Sequence, residues 1–407
     1  MRRFIALTMV LGLVVVGSTT ATASSRRATT PGVTKKAIKL GVTYVDLSNL
    51  GGTIDIDFGD WQKIYEVLID DFNANGGVNG RELNPVFAPV EPIGTVPAEE
   101  ACVHLTEDEQ VFAVTGFFLT PPLCYLEAHN TPVVNGAQTA EDVARAKAPW
   151  FTLDPDDHFN SLAIDAFAAE GAFKGGKLGI VVDAQSQALY DDVVAPALKR
   201  NKVKGTVVTI DVVQGDEVAT QQAARPIVER FDSDGINKIL FVGTSAVQFG
   251  NVLAQTDYRP RMIVLNYTIL RAFVQNPGSA VDVAKNAIGA YTLTDFNDPT
   301  LQKCFKVVEK ELGYVVKETV GPDEPDYRSS SEIACRAIGL FAAIAEAAGK
   351  NLTVESFGKA PLKGSLEVPG TGTITYDKKF KTFLQPVYIY RYDPATKTLV
   401  ADDKPAA

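Results

Sequence analysis

The chain has 407 residues, of which 49 are acidic and 39 basic, so its formal net charge at pH 7 is −10. This acidic balance argues against nucleic acid and anionic membrane surfaces as partners. The length exceeds what one ordinary hydrophobic core supports, and it therefore indicates two domains.

The N-terminus has the pattern of a secretory signal peptide. An arginine pair precedes an apolar run over residues 4–16, and an A-x-A cleavage pattern ends at Ala23. The alternative, a membrane anchor, requires roughly 20 apolar residues. We therefore expect residues 1–23 to be removed on export. No cysteine stands near the cleavage point, so we expect no lipid anchor, and residues 24–37 are predicted to be a disordered leader.

The first predicted elements are a strand, a helix and a second strand. Residues 38–44 alternate as a half-buried strand does, and residues 60–72 place their apolar side chains at helical spacing. Gly and Asn dominate residues 73–80, and both residue types accept a positive φ. We therefore predict a tight reversal that leads from the helix directly into a strand beginning near residue 82.

The alternation of strands and helices continues along the chain. Strands are predicted at 111–116, 132–135, 177–183, 207–213, 238–243 and 262–266, and helices at 97–106, 122–129, 157–170, 189–200, 217–231 and 246–255. Strands that alternate with helices of roughly 10 to 15 residues indicate parallel sheets of βαβ units. These strands are too many for one small sheet. The predicted fold class is therefore α/β, with two doubly wound parallel-sheet lobes.

The four cysteines stand in a chain that we expect to be exported, where disulfides form. Four cysteines allow three pairings. The pairing that closes the shortest loops, Cys102–Cys124 with Cys304–Cys335, is our prediction, and four buried free thiols are the alternative. No C-x-x-C motif and no histidine cluster accompanies them, so we expect no metal site.

Three features resemble catalytic or phosphate-binding motifs, but their neighbouring residues or their positions do not meet the requirements of those motifs. Residues 171–178 (GAFKGGKL) lack the Ser or Thr that a P-loop needs after its lysine, and they run from a helix into a strand. Thr244 and Ser245 follow a strand but lack the flanking glycines of a nucleophile elbow. The three histidines, at 104, 129 and 158, are scattered over predicted helices. We therefore expect no enzymatic activity and no cofactor.

Several segments, taken in order, resemble a known family. The strand at 38–44 and its helix lead into NANGGVNGREL, and VFAVTGF, TPVVNGAQT, KLGIVVD, INKILFVGTS and TGTITYDKKF follow. Together they resemble the type I periplasmic binding proteins, in particular the leucine/isoleucine/valine-binding branch that serves ABC transporters. The resemblance covers nearly all of residues 38–395. It implies two lobes joined by three hinge crossovers, with the ligand between them at the carboxyl ends of the strands.

The resemblance also implies where each lobe begins and ends. Crossings are expected near residues 152–155, 293–296 and 370–375. The implied division is lobe 1 at 38–153 plus 297–370, lobe 2 at 154–296 plus 371–395, and a C-terminal tail at 396–407. All four cysteines then lie in lobe 1.

In lobe 1, the loops that follow the strands form the implied ligand-binding side. Relatives hold an amino-acid carboxylate there with hydroxyls and with backbone N–H groups at helix N-termini. The implied site residues of lobe 1 are Asp46, Phe117, Phe118, Thr120, Ala137, Gln138 and Thr139. The two phenylalanines make this side more apolar than the Ser-rich loop of the family.

In lobe 2, the implied site residues are Tyr190, Ser245, Asn266 and Tyr267. Tyr190 stands for the aromatic residue that covers the ligand in relatives, in a stretch where this sequence carries extra residues. Amino-acid-binding relatives usually have an acidic residue, which meets the ligand ammonium, where this chain has Asn266. We therefore expect ligand binding to depend less on an ammonium group than it does in those relatives.

The function that the resemblance implies is solute binding. An exported, monomeric protein would capture an amino acid, an amide or a small carboxylate and deliver it to the permease subunits of an ABC importer. A ligand-sensing receptor or regulator on the same fold is the first alternative, although such proteins usually carry a transmembrane helix or a DNA-binding segment. An exported hydrolase is the second, and it requires a nucleophile–base pair that the sequence does not show.

Overall fold

The computed structural model describes residues 30–48, 57–92, 96–154, 156–213, 216–265, 269–271, 281–292, 294–318, 320, 324–376, 383, 386–396, 398–402 and 404–406. The predicted signal peptide, Asn266 and Tyr267 lie outside these residues. The end of the predicted leader lies inside them and is ordered. Val33 pairs with Ile38 in an antiparallel bridge, and Arg81 Nε donates to the carbonyl of Thr34 at 2.9 Å. The expected disorder therefore does not extend to residues 30–36.

The first sheet has five parallel strands in the order β2-β1-β3-β4-β5. Its strands are β1 (Ala37–Val45), β2 (Glu82–Val90), β3 (Ala113–Gly116), β4 (Val133–Val134) and β5 (Trp150–Phe151). Its helices are α1 (Trp61–Ala74), α2 (Val96–Val103), which continues through a π-helical turn (His104–Asp108), and α3 (Ala140–Arg145). A second π-helical turn (Cys124–Ala128) stands where a longer helix was predicted.

The reversal after α1 has the form that its glycines and asparagines predict. Gly76 and Gly77 adopt φ angles of 110° and 56°. A side chain at Gly77 would overlap the carbonyl oxygen of Arg81, so only glycine fits there. Asn73, in the last turn of α1, then bonds both backbone groups of Leu83 at 2.7 and 2.9 Å. Helix α1 and strand β2 are thereby fixed relative to each other.

The second sheet has seven strands in the order β14-β13-β10-β9-β8-β6-β7. Its parallel strands are β6 (Lys177–Asp183), β7 (Thr206–Ile210), β8 (Ile236–Val242), β9 (Arg261–Val264) and β10 (Ile288–Tyr291). Helix α4 (Asp157–Ala169) precedes β6, and the helices between the strands are α5 (Gln187–Leu189), α6 (Ala195–Arg200), α7 (Glu217–Ser233), α8 (Ala246–Leu253) and α9 (Val281–Ala284). A π-helical turn (Tyr190–Val194) joins α5 to α6.

After β10 the chain returns to the first sheet. Helices α10 (Pro299–Leu312), α11 (Tyr327–Ala348) and α12 (Val354–Lys359) share a core with β1 and α1. A two-stranded sheet of β11 (Leu366–Val368) and β12 (Gly372–Ile374) follows. The last strands, β13 (Tyr388–Asp393) and β14 (Thr398–Ala401), add to the second sheet in antiparallel pairing.

We use "first lobe" for the five-stranded sheet and the helices that share its cores, and "second lobe" for the seven-stranded sheet and its helices. Two details differ from the implied division. Ile374 and Tyr376 are buried in the first lobe's core, although they follow the boundary expected at residue 370. Residues 398–401, expected in a C-terminal tail, form β14 instead.

Both predicted disulfides are present, and both lie in the first lobe. Cys102 of α2 is joined to Cys124 of the π-helical turn, with 6.3 Å between their Cα atoms. Cys304 of α10 is joined to Cys335 of α11, with 6.1 Å between their Cα atoms. Within the part of the chain that the structure describes, no helix is long and apolar enough to cross a bilayer.

Candidate functional site

The first lobe has its topological switch between β1 and β3, the position at which open α/β sheets bind ligands. Gly116 ends β3 with φ at 124°, and a side chain there would overlap the carbonyl oxygen of Thr43. The N–H of Phe117 donates to Thr43 O at 2.9 Å, and the Thr43 hydroxyl donates to Phe117 O at 3.0 Å. The end of β1 therefore sets the position of the loop that contains Phe117.

The loop after β4 is tied to the loop after β3. Asn135 has φ at 91°, and its Nδ2 donates to the carbonyl of Gly116 at 2.9 Å. The indole N–H of Trp150 in turn donates to Asn135 O at 2.9 Å. Beyond this brace, the backbone N–H groups of Ala137 and Gln138 have no acceptor among the described residues. Two backbone donors are thus held at the carboxyl edge of the sheet.

The side chains of residues 138 and 139 form hydrogen bonds within the first lobe. Gln138 is buried and its Nε2 donates to the carbonyl of Trp150 at 3.2 Å, while its Oε1 is buried without a partner. The Thr139 hydroxyl caps α3, since it accepts from the N–H of Asp142 at 3.1 Å and donates to the carboxylate at 2.8 Å. The free hydrogen-bond donors of this loop are therefore the backbone N–H groups of Ala137 and Gln138, which find no acceptor among the described residues.

Two cavities open at the carboxyl edge of the first sheet. The larger, of about 600 Å³, lies between the end of β1 and the first turns of α1, and Asp46, Phe58 and Trp61 line it. The smaller, of about 200 Å³, is lined by Phe117, Phe118 and Thr120 among others. The larger volume lies in the range of small-molecule sites, roughly 300–1,000 Å³.

An aromatic wall joins the two cavities. Trp61 of the larger cavity lies with its ring centroid 6.0 Å from that of Phe58 and 6.0 Å from that of Phe117, which lines the smaller cavity. Trp61 is 6 % exposed, and its indole N–H is buried without a partner. The helical spacing at residues 60–72 includes Trp61 but does not separate a core position from a cavity wall, and Phe58 precedes that spacing.

The larger cavity is acidic. Asp46, Asp57 and Glu66 line it, and none of them forms an ion pair with a described residue, whereas Asp60 lies 3.7 Å from Lys63. Burial raises the pKa of the Tyr44 hydroxyl in this wall, and the carboxylates of Asp46, Asp60 and Glu66 raise it further. The negative charge around Tyr44 suits a ligand group that donates hydrogen bonds or carries positive charge.

The second lobe has its switch between β6 and β8, where the carboxylate of Asp183, the last residue of β6, contacts the loop before α8. The fully buried carboxylate accepts from the N–H groups of Thr244 and Ser245 at 2.5 and 3.1 Å. Gly243 has φ at 123°, and a side chain there would overlap this carboxylate. The Ser245 hydroxyl is buried without a partner. The chain's own acid thus takes the place of an anion at this helix N-terminus.

The family comparison fits this geometry. A model of the periplasmic binding protein family matches residues 16–398. The chain belongs to the periplasmic binding protein family. Its fold is that of the type I members, with two parallel-sheet lobes, and its general role is solute binding. Membership in this family implies an exported location. A search of curated protein sequences found no match to the chain.

Solved structures of ABC transporter substrate-binding proteins share the fold of this periplasmic binding protein. One from Desulfitobacterium hafniense, in complex with Leu, is 14 % identical with a TM-score of 0.63, over 90 % of this chain and 100 % of that one. A fatty acid substrate-binding protein from Thermomonospora curvata is 16 % identical with a TM-score of 0.64, over 92 % and 94 %. A solute-binding protein from R. palustris, in complex with 4-hydroxybenzoate, is 16 % identical with a TM-score of 0.63, over 91 % and 96 %.

The expected site residues of this binding protein are distributed over both lobes. Asp46 lines the larger cavity, whereas Phe117, Phe118 and Thr120 line the smaller one. Tyr190 is half-buried in the π-helical turn of the second lobe, where burial and then the charge of Asp191 raise its pKa. All described residues that line the two cavities belong to the first lobe.

The described residues contain one grouping of possible metal donors in this binding protein. Cys102, Cys124 and His129 bring their donor atoms within 4.8 Å of one another. The two sulfurs are joined in a disulfide, which leaves neither as a thiolate ligand. The grouping is therefore part of the disulfide's surroundings.

Proposed function

We propose that this protein captures a small organic ligand between its lobes outside the cytoplasm and delivers it to the permease subunits of an ABC importer. The proposed ligand class is an amino acid, an amide or a small carboxylate. One observation carries the proposal: at the switch point of the first sheet, an aromatic wall of Phe58, Trp61 and Phe117 adjoins two cavities. In the neighbouring loop, two backbone N–H groups find no acceptor among the described residues.

The polar head of the ligand is proposed to lie against the loops after β3 and β4. The N–H groups of Ala137 and Gln138 and the hydroxyl of Thr120 are hydrogen-bond donors that suit a carboxylate or an amide oxygen. The apolar body would then contact Trp61 and Phe117, and each aromatic contact would add about 0.5–1.5 kcal/mol beyond the burial of area. The ligands named for the three similar structures, leucine, a fatty acid and 4-hydroxybenzoate, all carry a carboxylate.

An ammonium group on the ligand is proposed to meet Asp46. Asp46 lines the larger cavity and forms no ion pair with a described residue, whereas Asp183 is fully buried and its Oδ2 accepts from the N–H groups of Thr244 and Ser245. Asp46 in the first lobe can therefore supply the negative charge that Asn266 does not supply in the second. Binding that depends less on an ammonium group than in amino-acid-binding relatives, as Asn266 leads us to expect, stays a prediction.

A thermal-shift screen of amino acids, amides and small carboxylates tests the proposed ligand class. A ligand present at a hundred times its Kd stabilises the protein by about 2.7 kcal/mol. At least one compound of the three groups should raise the melting temperature of the protein in proportion to the logarithm of the compound's concentration. A panel without any such compound would contradict the proposed class.

Calorimetry with a matched pair of ligands tests the proposed role of Asp46. Leucine and its deaminated counterpart, 4-methylpentanoate, differ in the ammonium group. We expect leucine to bind at least tenfold tighter, about 1.4 kcal/mol, and Asp46→Asn to remove most of that difference. The control is Asp295→Asn, which changes an exposed acid at the second crossing. Equal affinities of the two ligands for the wild-type protein would refute the role of Asp46.

Uptake measurements test delivery to an importer. Deletion of the gene should abolish accumulation of the radiolabelled compound that the screen identifies, and the wild-type gene should restore it. Permease and ATPase genes beside this gene would agree with that result. Unchanged uptake in the deletion strain, together with tight binding in vitro, would favour a sensing role over transport.

A further inference from the structure

One ion pair joins the two lobes outside the crossings. Arg271 follows Leu270, which is buried in a core of the second lobe, and Asp326 immediately precedes α11 of the first lobe. The distance between Arg271 Nη2 and Asp326 Oδ2 is 2.9 Å, and the same guanidinium nitrogen lies 3.3 Å from Ser329 Oγ. No other ion pair of the described ranges connects residues of different lobes.

Contacts within the first lobe also hold the carboxylate of Asp326 in place. Its Oδ1 accepts from the N–H of Ser329 at 3.0 Å, and its Oδ2 accepts from the Ser329 hydroxyl at 2.7 Å. The Asp326 side chain is 10 % exposed and that of Arg271 33 % exposed. Solvent and salt therefore screen this pair less than they screen a pair on the open surface. Separation of the lobes would leave the carboxylate without its cation.

The same helix N-terminus holds the segment at residues 57–60, which lines the larger cavity. The N–H of Asp326 donates to Asp57 O at 2.7 Å, and the Ser330 hydroxyl donates to Phe58 O at 2.6 Å. The Tyr327 hydroxyl donates to the Asp57 carboxylate at 3.3 Å. Arg271 is therefore connected to the cavity wall through one rigid helix end.

We propose that Arg271 is a positioning residue for ligand capture, because its pairing with Asp326 holds the second lobe over the cavity-lining segment at residues 57–60. The inference rests on the proposed capture between lobes, and it names the contact that biases the protein toward the closed arrangement. When a ligand binds against Phe58, the ion pair already holds the second lobe in the closed arrangement. A weaker pair lowers the fraction of molecules competent to bind and lowers the apparent affinity by the same factor.

Single-molecule energy transfer between the lobes, without ligand, tests the inference. Dyes on Glu100→Cys and Glu229→Cys, which are exposed positions of α2 and α7, report the separation of the lobes. Arg271→Gln should lower the ratio of closed to open molecules at least about fivefold. Raising the salt from 0.05 to about 0.5 M should lower that ratio in the wild type and leave it unchanged in Arg271→Gln.

Three further variants make the test specific. Arg259→Gln breaks a comparable pair within the second lobe, where Arg259 lies 3.0 Å from Asp282, and it should leave the ratio unchanged. Asp326→Asn keeps an oxygen that can cap α11, and it should act like Arg271→Gln without adding to it in the double variant. Arg271→Lys should restore part of the ratio, because it restores the charge.

An Arg271→Gln ratio equal to that of the wild type, or an equal loss in Arg259→Gln, overturns the inference. The ratio of closed to open molecules is measured without ligand, so its result does not depend on whether the proposed ligand class is right. A fivefold loss without any binding compound in the thermal-shift screen would support the ion pair and contradict the ligand class. Equal affinity of wild type and Arg271→Gln for a compound from that screen would contradict the inference and leave the proposed function intact.

Discussion

Substitution of Thr43 by valine should loosen Phe117 and with it the aromatic wall. Thr43 is 2 % exposed, and its hydroxyl donates to Phe117 O at 3.0 Å. Valine has the same shape but no donor, so the carbonyl of Phe117 loses its partner. A buried polar group left without a hydrogen bond costs about 1–3 kcal/mol. Thr43→Val should therefore lower the free energy of unfolding by an amount in that range.

Thr43→Ser is the matched control, because it keeps the donor and removes one buried methyl group. Such a removal costs about 1 kcal/mol. The two variants should thus be destabilised by similar amounts in urea, while only Thr43→Val frees the loop after β3. Their comparison separates the hydrogen bond from general loss of stability.

Acrylamide quenching of tryptophan fluorescence reads the wall directly. The chain has two tryptophans, and Trp61 is 6 % exposed with its ring 6.0 Å from that of Phe117. Trp150 of β5 donates to the carbonyl of Asn135, whose side chain holds Gly116, so the comparison is made in a Trp150→Phe background that leaves Trp61 as the reporter. Quenching should increase in Thr43→Val and stay at the wild-type level in Thr43→Ser. Equal quenching in the two variants would refute the role assigned to the Thr43 hydroxyl.

Three other outcomes are expected. Replacement of both Cys304 and Cys335 by alanine should cost about 3–4 kcal/mol in urea unfolding, since the bond closes a loop with a sequence separation of 31; a loss below about 1 kcal/mol would contradict this. Asp183→Ala should cost about 3–5 kcal/mol, against about 1 kcal/mol for the exposed helix cap Asp216→Ala, and equal losses in denaturation midpoints would count against the buried role. Burial alone would raise the pKa of Asp298, but hydrogen bonds from Thr300, Leu301 and Gly370 lower it below its usual value. The stability that this carboxylate contributes is therefore complete above the unfolded pKa of about 4 and is lost as the pH falls through the folded pKa. Asp298→Asn should abolish that part of the acid dependence when the free energy of unfolding is measured from pH 6 to 3.

The alternation of strands and helices up to β9 and the reversal after α1 could be predicted because local rules decide them. Apolar spacing and the Gly-Asn segment at residues 73–80 depend on residues close in sequence, and the structure agrees with both. The β14 strand was missed because its pairing with β13 depends on an edge that the other strands create. Residues 371–376 were assigned to the wrong side of the third crossing for a similar reason, since their burial against the first core is a tertiary effect.

The edge of the first sheet at which the two cavities open could be predicted, whereas the hydrogen bonds of several side chains there could not. The rule that ligands bind at the carboxyl ends of strands placed Asp46, Phe117 and Thr120 at the edge where the cavities open. The capping of α3 by the Thr139 hydroxyl was not predicted. The sequence carries a signal for this, since Thr139 precedes a short helical run with Asp142 three residues later. The bond from Ser245 to Asp183 spans 62 residues, and no local pattern indicates it.

Hydrogen exchange of the wild-type protein, with and without the compound that most raises its melting temperature, tests the central claim most directly. Capture between the lobes predicts protection at the carboxyl edges of both sheets. In the first lobe this means residues 43–48, 57–62, 117–120 and 136–139, and in the second it means residues 183–190 and 243–246. Protection confined to one lobe, or to surfaces away from these edges, would contradict the account.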